Sequence, residues 1–464
     1  MRVETDYLVI GAGASGMAFA DALVTHSDAD VVIVDRRHRP GGHWNDAYPF
    51  VRLHAPSAYY GVNSMPLGND TIDRDGPNAG LYELATGAAI CDYYTRVLDE
   101  RLIPSGRVRF LGMHDYRTND TGVNRVVSRL TGATSDITVN RKVVEANYLQ
   151  SDVPATHTPT FTADPGVHVV PINELANQRE HSAGYTIIGA GKTAMDACIW
   201  LLRNGVDPGR LRWIRPRDAW LVDRASLQPL DLVSSIVDGA SRDFRALAGA
   251  TSVDDLFRRL EQDGRLLRLD PDVTPTMYHC ATVSRQELTE LRRIEDVVRL
   301  GRVQHIGSDR VTLDGGSIPH DPSHLYVDCS ASGLRRPRPR PIFEPGRITL
   351  QQVRTCQPVF NAALVAYVEA TRRDDPAKNA LCPVNPYPDN ALDWLRSMAV
   401  SVAAAAAWSA EPDLKYWLAN SRLNFLRGAS ERADEPAMQE AAQRSREFAQ
   451  LAMKRLRELI PVRL

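Results

Sequence analysis

Two strand–glycine turn–helix units in one chain constrain its fold more than any other feature of the sequence. In the first, DYLVIGAGASGMAFADAL, an apolar run enters Gly11-Ala12-Gly13-Ala14-Ser15-Gly16. The second, YTIIGAGKTAMDACIWLLRNG, repeats the pattern with Gly189, Gly191 and Ala194. In such a turn the first glycine permits a tight bend and the second lets a pyrophosphate approach the backbone. The third small residue lets the helix pack close to the strand, and the helix N-terminus then faces the phosphate. A helix is expected from about Ala14 to Leu23. Met195, Ile199 and Leu202 recur at helical spacing and are expected in the core, with Gly205 as the helix stop. A chain of 464 residues has room for two or three domains.

The ends of the following strands distinguish the units. The first is followed by DVVIVD, ending at Asp35, 24 residues after Gly11. A carboxylate there accepts hydrogen bonds from both hydroxyls of an adenosine ribose and repels a 2′-phosphate. The second is followed by RLRWIR, which ends at Arg215, with Pro216 and Arg217 beyond. A guanidinium accommodates a 2′-phosphate through charge-assisted, often bidentate hydrogen bonds, so the second unit reads as an NADPH site. The alternative is a solvated basic turn.

After Asp35 the chain reads RRHRPGGHWNDAYPFVRLHAPSAYYGVNSMP. The GxGxxG unit, the acid-ended strand and Gly41-Gly42-His43-Trp44 together resemble the opening of the flavin-containing monooxygenase family. The resemblance implies an α/β fold of two Rossmann-like units, with an NADPH domain inserted into an FAD domain and helices added at the C-terminus. The segments are 1–178 for the first part of the FAD domain, 179–324 for the NADPH domain, and 325–464 for the return and the C-terminal helices. It places FAD against Gly11, Gly13, Ala14, Ser15, Gly16, Asp35, Arg36, Gly42, His43, Trp44 and His54. NADPH falls against Gly189, Gly191, Lys192, Thr193, Arg215 and Arg217. LYVDCSASG, with Ser332 and Gly333, is similar to the family's return to the FAD domain, and Asn63 in YYGVNSMP matches the asparagine that reaches the flavin. Asn63 read without the family is a turn residue, and Pro-Gly-Gly before a buried tryptophan is equally an ordinary turn.

The resemblance further implies hydride transfer from NADPH to flavin, reaction with dioxygen to a C4a-hydroperoxyflavin, and oxygenation of a nitrogen, sulfur or carbon nucleophile on a small organic substrate. One fingerprint, F-x-G-x-x-x-H, is missing from FTADPGVHVVPINELANQREHSAGY. This marks a divergent relative and argues against a Baeyer–Villiger enzyme. Two alternatives stand: an NADPH oxidase or reductase that inserts no oxygen, and a non-catalytic nucleotide-fold binding protein, which would purify colourless.

Other features narrow the field. A formal net charge of −2 offers nothing to a polyanion, and RRPRPRP at 335–341 reads as an extended loop, so no nucleic-acid partner is expected. GKT at 191–193 lacks the earlier glycine of a phosphate loop, since Thr186 stands there. His320 and His324 flank Pro322 and read as surface-loop residues, with no metal. No apolar run approaches the ~20 residues of a membrane span, and the first strand begins too early for a signal peptide. The six cysteines, at 91, 198, 280, 329, 356 and 382, form no CxxC pair. They are expected as free thiols of a cytoplasmic protein. Oligomeric state is not legible.

Overall fold

The computed structural model describes residues 3–118, 123–333 and 335–461. The first glycine turn follows β1 (Val3–Ile10), which lies in the parallel centre of a mixed eight-stranded sheet. On one side are β2 (Val31–Val34) and β3 (Val108–Leu111). On the other are strands Thr134–Glu145 and Arg347–Thr349. Helices α1 (Ala14–His26) and Pro358–Thr371 share a core with Val31 and Ile33 on one face of the sheet, while Val32 and Val34 join a second cluster with Leu8, Val126 and Ile137 on the other, which is why β2 reads as an unbroken apolar run and not as an alternation. Tyr7 Oη donates to Glu369 at 2.9 Å, which ties the far end of the second helix to the sheet.

The second glycine turn follows strand Gly184–Ile188, inside a five-stranded parallel sheet. Its neighbours are Leu211–Ile214, then Asp296–Val298, on one side and His324–Asp328, then Val169–Pro171, on the other. Met195, Ile199 and Leu202 of helix Lys192–Arg203 are buried as their spacing implies, and Gly205 follows the helix at a φ of 86°. A smaller sheet, Ala219–Asp223 with Leu266–Leu267 and Met277–Val283, shares a core with parts of C-terminal helices Ala391–Ala410 and Pro436–Leu459. The C-terminal extension thus packs on both parts, with Leu395, Ala452 and Leu456 on the inserted part and Trp408, Leu414 and Trp417 in the core of the first unit.

Three expectations are corrected. Strand His324–Asp328 belongs to the second sheet, so the chain rejoins the first sheet only at Phe343–Glu344 and Arg347–Thr349. Strand Val169–Pro171 also pairs in the second sheet, ahead of the boundary drawn at residue 179. Sequence shows where a strand is, whereas its sheet is chosen by distant partners. His324 opens a strand and meets Thr186 Oγ1 through Nδ1 at 3.0 Å, while His320 stacks on Tyr326, so the pair is partly packed into structure and not a surface loop. Finally, Cys280 and Cys356 are joined as a disulfide, with Cα atoms 6.5 Å apart. The other four cysteines are free and buried. No helix among the described residues is long and apolar enough to cross a membrane.

Candidate cofactor site

The first turn is built by steric necessity. Gly11 has a φ of 104° and donates its N–H to Val34 O at 2.8 Å, so β1 bends directly against β2. A side chain on Gly16 would run into Gly11 O, which requires the third glycine. No side chain caps α1, whose N-terminal N–H groups at Ala14, Ser15 and Gly16 face outward from the turn for an anion. Asp35 is buried at the end of β2, with Oδ2 accepting from Ala12 N at 2.7 Å and Oδ1 from Arg37 N at 2.8 Å. A carboxylate has lone pairs beyond these two bonds, so it can still accept from ribose hydroxyls. Arg36, next to it, is exposed and donates to Gln150.

The GGHW loop lies directly on this turn. Gly41 N donates to Ala12 O at 2.9 Å, and a Cβ on Gly42 would stand 2.8 Å from Gly13 Cα. Here Gly42, with a φ of 57°, is the residue that close approach demands. His43 and Trp44 follow in a short 3₁₀ turn, and Trp44 Nε1 donates to Tyr60 Oη at 2.9 Å.

From there the chain crosses to the second turn. Tyr48 Oη donates to Asp196 at 2.6 Å, Phe50 stacks on Trp200 at 4.8 Å, and Asp196 pairs with Lys192 on the same helix face. His54 lies within electrostatic reach of Lys192, and its carbonyl accepts from Arg224 and Thr282. Residues 42–54 therefore run from one glycine turn to the other, and Trp44 packs against the cores of both units.

His43 and His54 are half-buried, yet protein encloses them densely enough to hold both imidazoles neutral. Burial, followed by Arg37, lowers His43 to about 4, and burial, followed by Lys192 and Arg224, lowers His54 to about 3. Burial also raises Tyr60 to about 12, so its hydroxyl keeps its proton.

At the second turn Gly189 has a φ of 137°, and a side chain there would strike Cys329 O. A Cβ on Gly191 would meet nothing within 4 Å, which leaves open space beside the uncapped helix start at Lys192 and Thr193. The two arginines differ sharply. Arg215 is only 3 % exposed, 4.8 Å over the Trp213 ring and 3.4 Å from Asp218, and its Nε has no hydrogen-bond partner. Burial lowers its pKa. Arg215, read from the sequence as a 2′-phosphate ligand beside Arg217, is instead enclosed by Trp213 and by the buried carboxylate of Asp218, which stands just ahead of strand Ala219–Asp223. Arg217 is exposed and holds Asp389 through two bonds at 3.0 and 3.2 Å. Arg299, which sequence reasoning missed, stands after the adjacent strand and pairs with Asp218 and Asp270. Tyr48 and Asp196 were missed as well, and no local motif marks them.

The remaining sequence candidates lie apart from this path. Asn63 Oδ1 accepts from Ser421 at 3.0 Å, and neighbouring Ser64 N donates to Asp21 in α1 at 3.0 Å. Ser332 and Gly333 are exposed beyond the end of strand His324–Asp328.

The chain is 51 % identical over 425 residues to the Mycobacterium tuberculosis protein named "Uncharacterized protein Rv2000", covering 91 % of this chain and 78 % of that one. It belongs to that mycobacterial protein's family. Residues 9–63 of this family member match the NAD(P)-binding Rossmann-like domain. A flavin-containing monooxygenase from Stenotrophomonas maltophilia is 13 % identical, with a TM-score of 0.44 over 82 % of this chain and 99 % of that chain. An oxidized steroid monooxygenase bound to NADP is 14 % identical, with a TM-score of 0.49 over 79 % and 85 %.

Proposed function

We propose that this protein is an FAD-dependent, NADPH-using monooxygenase that transfers one oxygen atom from dioxygen to a nitrogen, sulfur or carbon nucleophile of a small organic substrate. The observation that carries the reading is segment 42–54, which starts on one glycine turn and ends beside the other, with Trp44 between their cores. Two nucleotides held so close suit a hydride relay.

The residues fit both groups. At the first turn the uncapped start of α1 would take the FAD pyrophosphate, and Asp35 would take the ribose. At the second, the open space at Gly191 would admit the NADPH pyrophosphate, and Arg217, now paired with Asp389, would be the guanidinium for the 2′-phosphate. When bound, NADPH supplies a hydride and FAD the centre that activates oxygen. The chain's own residues then position and exclude. Trp44 and Tyr60, joined by their hydrogen bond, would on this reading help to exclude water from the flavin. His43 and His54 remain neutral, so neither brings a competing positive charge. Asn63 lies apart from segment 42–54, with its Oδ1 accepting from Ser421, and on this reading its Nδ2 amide would be the donor offered to the flavin.

The test is reconstitution with FAD followed by turnover of a substrate panel with NADPH under ¹⁸O₂. The reading expects a flavin spectrum and one labelled oxygen per product. Product formed equally well without dioxygen would replace it with NADPH-dependent electron transfer, and a colourless protein with excess FAD would remove the flavin altogether.

A further inference from the structure

We infer that the Cys280–Cys356 disulfide is a reversible tether between the two halves of the molecule, opened by thiol–disulfide exchange with a low-molecular-weight thiol. The inference stands on the chain's own sulfurs and is independent of the cofactor reading.

Its position is the first argument. Cys280 lies in strand Met277–Val283 of the inserted part, in a sheet that also carries Thr282, the partner of His54 O. Cys356 lies between strand Arg347–Thr349 of the first sheet and helix Pro358–Thr371, which shares the first unit's core. The bond thus links the two units directly, across 76 positions of sequence. Beside it, Tyr278 N donates to Asp389 O and Gln357 N to Gln352 Oε1, so both strands of the link are otherwise held by ordinary hydrogen bonds.

Backbone conformation is the second. Cys280 and Cys356 have φ angles of 56° and 59°, in the left-handed region that residues with a side chain seldom adopt. Only five non-glycine residues among those described have positive φ, and two of them are the two bonded cysteines. Such conformations concentrate at sites where surrounding structure imposes them. Opening the bond removes that constraint from both at once.

Reactivity is the third. Both cysteines are half-buried, whereas Cys91, Cys198, Cys329 and Cys382 are buried, so of the six cysteine residues these two are the more open to an entering thiol. Cys356 immediately precedes Gln357, the N-cap of helix Pro358–Thr371; no side chain caps that helix, and since Pro358 carries no N–H and Gln357 N is bonded to Gln352, the donors left at its start are those of Val359 and Phe360. A thiolate beside free N–H groups at a helix start is stabilised, which makes Cys356 the better leaving group. The entering thiolate attacks Cys280 Sγ, forms a mixed disulfide there and expels Cys356 as thiolate, which then takes a proton. A second thiolate attacks the outer sulfur of the mixed disulfide and releases Cys280. Two small thiols become one small disulfide, their two electrons reduce the protein bond, and their two protons end on the two cysteines.

The experiment uses the full chain and glutathione as probe. Native protein, oxidised or preincubated with glutathione and desalted, is alkylated with one reagent. It is then denatured, reduced and alkylated with an isotopically distinct one, and its peptides are mapped by mass. In oxidised protein, Cys280 and Cys356 are expected to take only the second label. After glutathione both should take the first label, while the four buried cysteines still take the second. Hydrogen exchange of residues 277–283 and 350–357 should quicken on reduction. Single variants then assign the roles: Cys356 in Cys280→Ser should alkylate at least threefold faster at neutral pH than Cys280 in Cys356→Ser. Two free thiols at 280 and 356 in oxidised protein, or a bond that glutathione leaves intact in the native chain, overturns the tether. Equal or reversed alkylation rates overturn the assignment of Cys356 as leaving group.

Discussion

Substituting Gly42 by alanine should damage the cofactor site in a way that separates contact from conformation. Two costs combine there. With a φ of 57°, any residue bearing a Cβ meets the left-handed penalty of roughly 1–2 kcal/mol. In addition, the new Cβ would sit 2.8 Å from Gly13 Cα, inside the ordinary carbon–carbon contact distance of about 3.5–4.0 Å. The neighbour is backbone on both sides, so neither atom can swing away, and overpacking of this kind costs about 1–3 kcal/mol. The sum is about 2–5 kcal/mol. Gly106→Ala supplies the control, because Gly106 also has a positive φ, 72°, and its Cβ would meet nothing within 4 Å. Denaturant unfolding of the two variants at equal m-value gives the contact term by difference, and fluorescence titration with FAD reads the displaced loop. Gly42→Ala should lose at least tenfold in FAD affinity, while Gly106→Ala should bind normally. Equal destabilisation of the two variants would refute the claim that the GGHW loop rests on the first turn.

Arg217→Ala should weaken use of NADPH by about ten- to a hundredfold, the loss of one charge-assisted hydrogen bond, and leave NADH use nearly unchanged in steady-state kinetics. Arg215→Ala should lower the thermal midpoint and affect both nucleotides alike, since its guanidinium is buried over Trp213; NADPH-selective loss there would reverse the assignment. Arg224→Ala should destabilise by about 3–5 kcal/mol, because it strips Glu287 of a buried partner at 2.6 Å and unhooks His54 and Asn78. For pH, His43 and His54 are lowered in the folded state, so below about pH 6.5 the unfolded chain binds protons that the native fold refuses. Stability should therefore fall as pH drops from about 6.5 toward 4, and His54→Gln should flatten that slope in pH-dependent urea unfolding; an unchanged slope contradicts a neutral, enclosed imidazole. Asn63→Ala should leave NADPH oxidation running but divert it to peroxide, measured in parallel with product.

What the sequence determined was whatever depends on neighbours along the chain. The bends at Gly11 and Gly189, the packing of Gly16, the buried face of Met195, Ile199 and Leu202, and Asp35 at a strand end all follow from sterics and periodicity over a few residues. Those terms are local and act in any tertiary setting. The rest depended on groups that meet only after the chain folds. Arg215 and Arg217 sit two positions apart with the same charge, yet Asp218 and Trp213 enclose one while the other reaches Asp389. Strand His324–Asp328 carries no local sign of which sheet will hydrogen-bond it. The same holds for Cys280 and Cys356, brought within bonding distance by the docking of two units, and for residues 42–54, whose role as the path between two glycine turns exists only when Tyr48 meets Asp196. Burial and long-range contact are properties of the assembled core, and they decide which charges are available, which sulfurs pair, and which loop joins the two glycine turns.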